Sequence, residues 1–347
     1  MITKDFTHSR RYNSVYIIAE IGQAHEGSLG IAHSYIDALA ETGVDAVKFQ
    51  VHIADAESSV FEPFRVNFSY EDQTRYDYWK RMEFTTEQWT ELKKHCEKKG
   101  LNFIPSTFSN ASVDMMEQIG VGAYKIGSGE VNNFLMLQKI ARTGKPVYLS
   151  SGMSSFSEID SAVELLKHFK NPLTILQCTS AYPAKPQDWG LNVIPELKER
   201  YHVPVGYSDH SGDIYACLAA TTLGAEVLEF HVVFDKRMFG PDTCASLTID
   251  QVKMVVTGSH DINVACNSRI DKNVIITGVL KKIFEKSLAI NRDLKSGEII
   301  SEDILESKKP KNCGIDAREY QKVLGRSLKN DLKKGNFLKE SDLNEKT

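Results

Sequence analysis

Val205-Gly206-Tyr207-Ser208-Asp209-His210 is followed by an apolar stretch over residues 214–222, then by Val227-Leu228-Glu229-Phe230-His231, and a short loop later by Gly240-Pro241-Asp242. The first two pieces are short apolar runs that end in an acid and a histidine, and a helix-length segment separates them. That is the pattern of two neighbouring parallel strands delivering side chains to one point. Neutral imidazole is the commonest metal ligand, and a rigid sheet fixes ligand geometry better than a loop does. Asp209 and Glu229 are placed to orient the imidazoles or to act on substrate. Singly, His210 reads as a turn or capping residue and His231 as a core histidine; as a pair, each beside a carboxylate at a strand end, they read as a site.

Outward from this unit the same alternation recurs eight times, with short apolar runs at 15–22, 46–50, 101–106, 123–126, 146–150, 173–177, 205–207 and 227–230. Continuous apolar strands alternating with amphipathic stretches imply a parallel sheet covered by helices, and eight units imply a closed (β/α)8 TIM barrel. Helix starts are marked by Asn110 before 111–119, by Ser155 with Glu158 in capping-box spacing, and by Asp213 before 214–222. One connection is long: residues 51–85 carry Phe61, Phe64, Phe68, Tyr70, Tyr76, Tyr78 and Trp79. An insert of this length is either a lid or interface, or a packed subdomain without contact to substrate.

Bulk properties narrow the function. The 347 residues are 41% hydrophobic with a formal net charge of −4, which leaves no basic footprint for nucleic acid or for a membrane surface. No apolar run is long enough to span a bilayer, and residues 1–13 are polar and of mixed charge, so a cytoplasmic location is expected. The six cysteines lack Cys-x-x-Cys spacing and read as reduced thiols.

In such a barrel the site lies at the strand C-termini. There the chain places Glu20, Lys48 with Gln50, Ser106, Lys125 with Ser128, Ser150, Thr179 with Ser180 and Tyr182, Ser208 with His210, and Glu229 with His231. Hydroxyls suit turns, but two lysines inside a barrel mouth need anions, since a buried ammonium is costly unless paired. Together with the Ile126-Gly127-Ser128-Gly129 turn they suit a small, doubly anionic substrate; alone, that turn is also an ordinary tight connection. Near Asp261 the barrel pattern ends. The expected organisation is a barrel domain over 1–260, a linker of uncertain order over 261–285, and a small domain over 286–347. That small domain holds a repeat, Asp293-Leu294-Lys295-Ser296-Gly297 returning as Asp331-Leu332-Lys333-Lys334-Gly335.

The chain resembles the bacterial sialic acid synthases, comprising N-acetylneuraminate, legionaminate and pseudaminate synthases, with a C-terminal antifreeze-like (SAF) domain. The carriers are Ala19-Glu20-Ile21-Gly22, Val47-Lys48-Phe49-Gln50, Lys125-Ile126-Gly127-Ser128-Gly129-Glu130, Ser151-Gly152-Met153, Cys178-Thr179-Ser180-Ala181-Tyr182-Pro183, Gly206-Tyr207-Ser208-Asp209-His210 and Gly240-Pro241-Asp242. The resemblance implies condensation of phosphoenolpyruvate with the open-chain aldehyde of an N-acylated hexosamine, with release of phosphate. Its residue-by-residue implications are a divalent metal, commonly Mn2+ with Mg2+ or Co2+ as alternatives, on His210 and His231. Phosphoenolpyruvate would contact Lys48, Ser106, Lys125, Ser128, Ser150, Ser180 and Ser208; Gln50, Tyr182 and Lys309 would face the sugar. Glu20, Glu229 and Asp242 are the expected catalytic carboxylates. A homodimer with exchanged C-terminal domains is also implied.

The chain departs from that pattern at Ala24-His25-Glu26-Gly27, at Phe230, at Thr243 and at Lys309, the last in place of an arginine that grips the acyl group. These departures are expected on the sugar side, leaving the phosphoenolpyruvate residues intact. The sugar the resemblance implies is N-acetylmannosamine, giving N-acetylneuraminate, or alternatively a 2,4-diacetamido-2,4,6-trideoxyhexose. Readings from other classes are an aldolase or lyase using Lys48 or Lys125 as a Schiff base, and a sugar-binding protein without catalysis.

Overall fold

The structure is a computed structural model that describes residues 15–273 and 278–345. The N-terminal residues read above as polar, 1–13, residues 274–277 of the expected linker and residues 346–347 of the expected small domain lie outside the described residues. The chain divides into two compact units, Met1–Ser268 and Arg269–Thr347.

In the first unit eight parallel strands pair in chain order: β1 (Tyr16–Gly22), β2 (Ala46–Val51), β3 (Asn102–Thr107), β4 (Tyr124–Ile126), β5 (Val147–Ser150), β6 (Leu173–Cys178), β7 (Val205–Asp209) and β8 (Val227–Val233). β8 pairs back on β1, with Tyr16 opposite Val227 and Glu20 opposite His231, so the sheet closes. Strand alternation then sorts the side chains. Ile17, Val47, Phe49, Ile175, Val205, Leu228 and Phe230 point outward into the large core shared with the helices. Tyr16, Ile18, Ala46, Ile104, Ala123, Tyr148, Leu176 and Val227 form a separate apolar cluster that fills the barrel. Two residues further along the same inward faces stand Glu20, Lys48, Ser106, Lys125, Ser150, Cys178 and Glu229. The apolar interior therefore ends in a polar ring, and the period of two is what turns apolar strands into a polar mouth. Gly206 is required at its position on β7, because an added Cβ would lie 2.4 Å from the Val227 carbonyl oxygen and 2.6 Å from Leu176 Cδ2.

The helices follow the expected starts with two shifts, one of them at Tyr215–Thr222, whose N-cap position is Ile214 and not Asp213. The helix Asn110–Ile119 is capped by Ser109, whose hydroxyl accepts from Ser112 N, rather than by Asn110. Ser155 and Glu158 form the expected capping box of Phe156–His168. The insert holds two helices, Ala54–Glu57 and Arg75–Met82, and its own apolar cluster of Ala54, Tyr78, Trp79 and Met82, against which Phe64, Phe68 and Tyr76 pack.

The expected linker is not irregular throughout. A helix, Ile249–Asn267, runs through its first residues, and another, Gly278–Phe284, through its last. The second unit contains an antiparallel pair, β9 (Ser287–Ile290) and β10 (Leu305–Lys308), over a core that includes Leu288, Leu294, Ile300, Val323, Leu328 and Leu338. Its sequence repeat is a structural one. Leu294 and Leu332 exchange both backbone hydrogen bonds at 2.9 Å. Lys295 pairs with Asp331 at 2.7 Å and Lys333 with Asp293 at 2.8 Å.

Candidate active site

The mouth of the barrel holds a cavity of about 450 Å3. Glu20, Lys48, Gln50, Ser106, Lys125, Ser128, Ser150, Ser180, Tyr182, Ser208, His210, Glu229, His231 and Asp242 all line it. Lys309 belongs to the second unit, where its ammonium lies 4.8 Å from the Phe284 ring centre.

At the floor, β1 sets Glu20 beside Lys48 on β2 and His231 on β8. Lys48 Nζ lies 2.8 Å from Glu20 Oε2 and 3.0 Å from Glu229 Oε1; Lys125 Nζ lies 3.3 Å from the same Glu229 oxygen. Ser208 donates to Glu229 Oε1 at 3.0 Å, and Gln50 donates to Glu20 Oε1 at 2.8 Å. Burial works against charge on all four ionisable groups. For Glu20, Lys48 foremost, then His231 and Lys125, overcome burial and hold the carboxyl well below its ordinary range. Burial opposes ionisation of Glu229 as well, and Lys125 and Lys48 bring its pKa down. Against the same penalty, Glu20 and Glu229 hold Lys48 protonated above its ordinary range. Lys125 has one near carboxylate instead of two, and burial lowers its pKa. A lysine pair held in a dry site by two carboxylates is a receptor whose attraction for an incoming dianion is little weakened by water.

Three features show space and bonding capacity left for a ligand. Glu229 Oε2 and Ser150 Oγ are buried without a hydrogen-bond partner among the described residues. A Cβ added at Gly152 would lie 2.6 Å from Ser180 Oγ, 2.7 Å from Ser128 Oγ and 3.2 Å from Cys178 Sγ, so only glycine leaves that hollow open. Gly127, Ser128 and Gly129 line the same side.

The two histidines meet on the same floor, ring centres 5.3 Å apart, although His210 stands one residue beyond the end of its strand. His210 Nδ1 donates to the Thr179 carbonyl at 3.0 Å, which directs Nε2 into the cavity, 3.1 Å from Tyr182 Oη. This tautomer is the one a metal-binding histidine adopts. His231 Nε2 is 3.4 Å from Glu20 Oε2, and its Nδ1 is 3.9 Å from Asp242 Oδ2. Burial lowers the His231 pKa, against the pull of Glu20 and Asp242. Burial opposes charge on His210 too, but the Cys178 sulfur 3.7 Å away raises its pKa to about 9, with the thiol lowered to about 7, so a cation at Nε2 would have to displace a proton. Among the described residues no three His, Cys, Asp or Glu side chains are gathered to hold an ion. The protein's offer is therefore two imidazoles with open positions for water or substrate oxygen, a donor set that fits a borderline divalent cation.

The model of the NeuB family matches residues 35–271, and that of the SAF domain matches residues 285–344. The chain belongs to the NeuB family. It is 35% identical to an N,N'-diacetyllegionaminic acid synthase of Campylobacter jejuni over 93% of this chain and 98% of that protein. It is 33% identical to a pseudaminic acid synthase of the same species, covering 94% and 96% of the two chains. A solved N-acetylneuraminic acid synthetase of Leptospira borgpetersenii, crystallised with citrate, superposes with a TM-score of 0.68 at 32% identity, over 76% of this chain and 89% of that one.

As a NeuB-family barrel the molecule corrects one expectation about its departures. Phe230 faces away from the cavity into the outer core. Thr243 donates to the Phe239 carbonyl at 3.4 Å, outside the main cavity. His25 is fully buried against Phe84, ring centres 4.7 Å apart, and Glu26 pairs with Arg81 at 3.0 Å. These three departures do not line the main cavity, where the sugar side was expected. The insert is the reverse case: besides its own core, Phe64, Arg65, Val66, Phe68, Arg75, Tyr78 and Trp79 roof the cavity. Arg65 reaches Asp242 and lies 4.0 Å over the Tyr182 ring, and Arg81 ties the insert to Glu26 while pairing with Asp72 of the insert itself at 2.8 Å. The sequence reading missed Arg65, Cys178, His52 and Glu57 as cavity residues. The length of the insert pointed to the roof, but no periodicity marks which of its side chains turn inward.

Proposed function

We propose that this chain is a nonulosonic acid synthase that joins phosphoenolpyruvate to the open-chain aldehyde of an N-acylated hexosamine and releases phosphate. The observation that carries the reading is the single cavity in which Lys48 and Lys125, held by Glu20 and Glu229, adjoin an unfilled hollow between Ser128, Ser150 and Ser180, with the imidazole pair facing them. The names of the family's characterised members point the same way.

In this reading the lysines and the serine hollow hold the carboxylate and phosphate of phosphoenolpyruvate, which fixes its C3 against the aldehyde. C3 attacks the aldehyde carbon, forming the C–C bond and leaving C2 as an oxocarbenium cation, while the aldehyde oxygen takes up a proton. Water adds at C2 and loses a proton. The tetrahedral product then breaks its C2–O bond, and phosphate leaves with the bridging oxygen. Glu229 stabilises the C2 cation, and its unpartnered Oε2 is the acceptor for the proton of the water. Glu20, fixed between Lys48, Gln50 and His231, faces the aldehyde side. His210 and His231 hold a divalent cation, Mn2+ with Mg2+ or Co2+ as alternatives; when bound it supplies Lewis-acid polarisation of the aldehyde oxygen. The sugar is N-acetylmannosamine or, equally well matched by the relatives, a 2,4-diacetamido-2,4,6-trideoxyhexose. A homodimer and a cytoplasmic location complete the proposal; no helix among the described residues is long and apolar enough to cross a membrane.

The test is phosphate release from phosphoenolpyruvate across these sugars, with Mn2+ and with chelator. Release that needs one sugar and stops with chelator is expected. Folded protein that releases none with any sugar contradicts the synthase. Borohydride trapping of substrate on Lys125, whose pKa is depressed, would move the assignment to a Schiff-base lyase.

A further inference from the structure

The insert places a guanidinium above the imidazole pair. Arg65 stacks over Tyr182 with its central carbon 4.0 Å from the ring centre, and its Nη2 reaches Asp242 Oδ1 and the Pro241 carbonyl, the latter at 3.3 Å. Both hydrogen bonds leave from Nη2. Among the described residues Nε and Nη1 make none, and the side chain, 35% exposed, lines the cavity. Stacking and the Asp242 pair immobilise the fork, so its remaining donors are oriented before any ligand arrives. Tyr182 in turn touches His210 at 3.1 Å and stands 6.0 Å from the His231 ring. Arg65 is thus one side chain away from the imidazoles.

The surroundings decide what those donors can meet. Glu57, Glu62 and Glu130 line the same cavity, and carboxylates accept hydrogen bonds from hydroxyls. The other arginine there, Arg75, is paired with Glu62 at 3.0 Å and lies over Trp79. A donor-only group beside several carboxylates takes the strongest neutral acceptor the sugar offers, and that is an amide carbonyl. With the aldehyde carbon at the imidazoles, the acylamido group on the adjacent C2 is the one within a side chain's reach of Arg65. We infer that Arg65 is a specificity-determining residue, supplied by the insert of the same chain, that binds the acyl carbonyl at C2 of the sugar and holds Tyr182 and Asp242 around it.

This inference rests on the synthase reading, and its test separates the two. In the unsubstituted enzyme, phosphate release is measured with N-acetylmannosamine and mannose, or with a 2,4-diacetamido sugar and its counterpart lacking the C2 acylamido group. The same pairs are then run with Arg65→Ala, Arg65→Lys and Arg65→Gln, with melting temperature as the folding control. Arg65→Gln keeps a planar group over Tyr182 and serves should the alanine variant fail to fold. The preference in kcat/KM for the acylated sugar is expected to fall about 10-fold to 100-fold in Arg65→Ala, the range of a charge-assisted hydrogen bond. KM for phosphoenolpyruvate stays unchanged, and Arg65→Lys does not restore the preference, because a point charge cannot reproduce the fork. An unchanged preference, or an equal loss on both sugars, overturns the inference and leaves the synthase standing. No phosphate release by the unsubstituted enzyme with any sugar overturns both.

Discussion

Lys48 is buried with two carboxylates and owes its charge to them, so each member of the group is held in place by the others. Substituting Lys48 by Met leaves Glu20 and Glu229 short of a counter-charge in a dry site; a loss of about 3–5 kcal/mol in stability is expected from denaturant unfolding, together with loss of phosphoenolpyruvate binding. Gly152 acts differently. The Gly152→Ala methyl enters the hollow between Ser128 and Ser180, so KM for phosphoenolpyruvate should rise roughly tenfold or more while KM for the sugar holds. His25 gives a pH signature. Burial lowers its pKa from 6.5 to about 3, so the unfolded chain binds a proton there that the folded chain refuses. Its contribution to stability is complete above pH 6.5 and is lost as pH falls towards about 3. His25→Gln should flatten the acid limb of the stability curve in that window relative to the unsubstituted protein, and an unaltered limb would contradict the assignment. At this scale the lysines were legible, since a lysine ending an apolar run has few other uses. The role of Gly152 was not, because its neighbours come from the ends of two other strands, β4 and β6.

The βα units were legible because each apolar run is short and continuous, and the two misplaced caps, at Asn110 and Asp213, each lie a single position away. Residues 261–267 were read as linker because Asn263 and Asn267 are poor helix formers, yet they extend a helix already nucleated by the Thr248 capping box. The insert is where sequence reading stopped. Its inward side chains follow from two arginine anchors and not from a period. One of these, Arg81, joins Glu26 and Asp72. Arg81→Ala should therefore loosen the roof and speed limited proteolysis within 51–85 about tenfold, corresponding to ~1.4 kcal/mol of local stability, with unfolding of the barrel core unchanged. Equal cleavage rates would show that the insert is held by its own apolar cluster alone.

Across the whole chain, two units with separate cores follow from one change of composition and one repeated motif, both visible in the sequence. Closure of the barrel follows from the count of eight runs, and the site follows from the position two residues beyond each interior apolar side chain. Substrate chemistry is then a property of the closed mouth as a unit, with lysines, hollow and imidazoles in one cavity. Its central claim is that the C2–O bond of phosphoenolpyruvate breaks. The direct measurement is the fate of oxygen-18 placed in the bridging position, followed by mass spectrometry of the products with the sugar that supports turnover. The account predicts that the label leaves in inorganic phosphate. Label retained in the sugar acid would mean that the P–O bond breaks instead, and would contradict it.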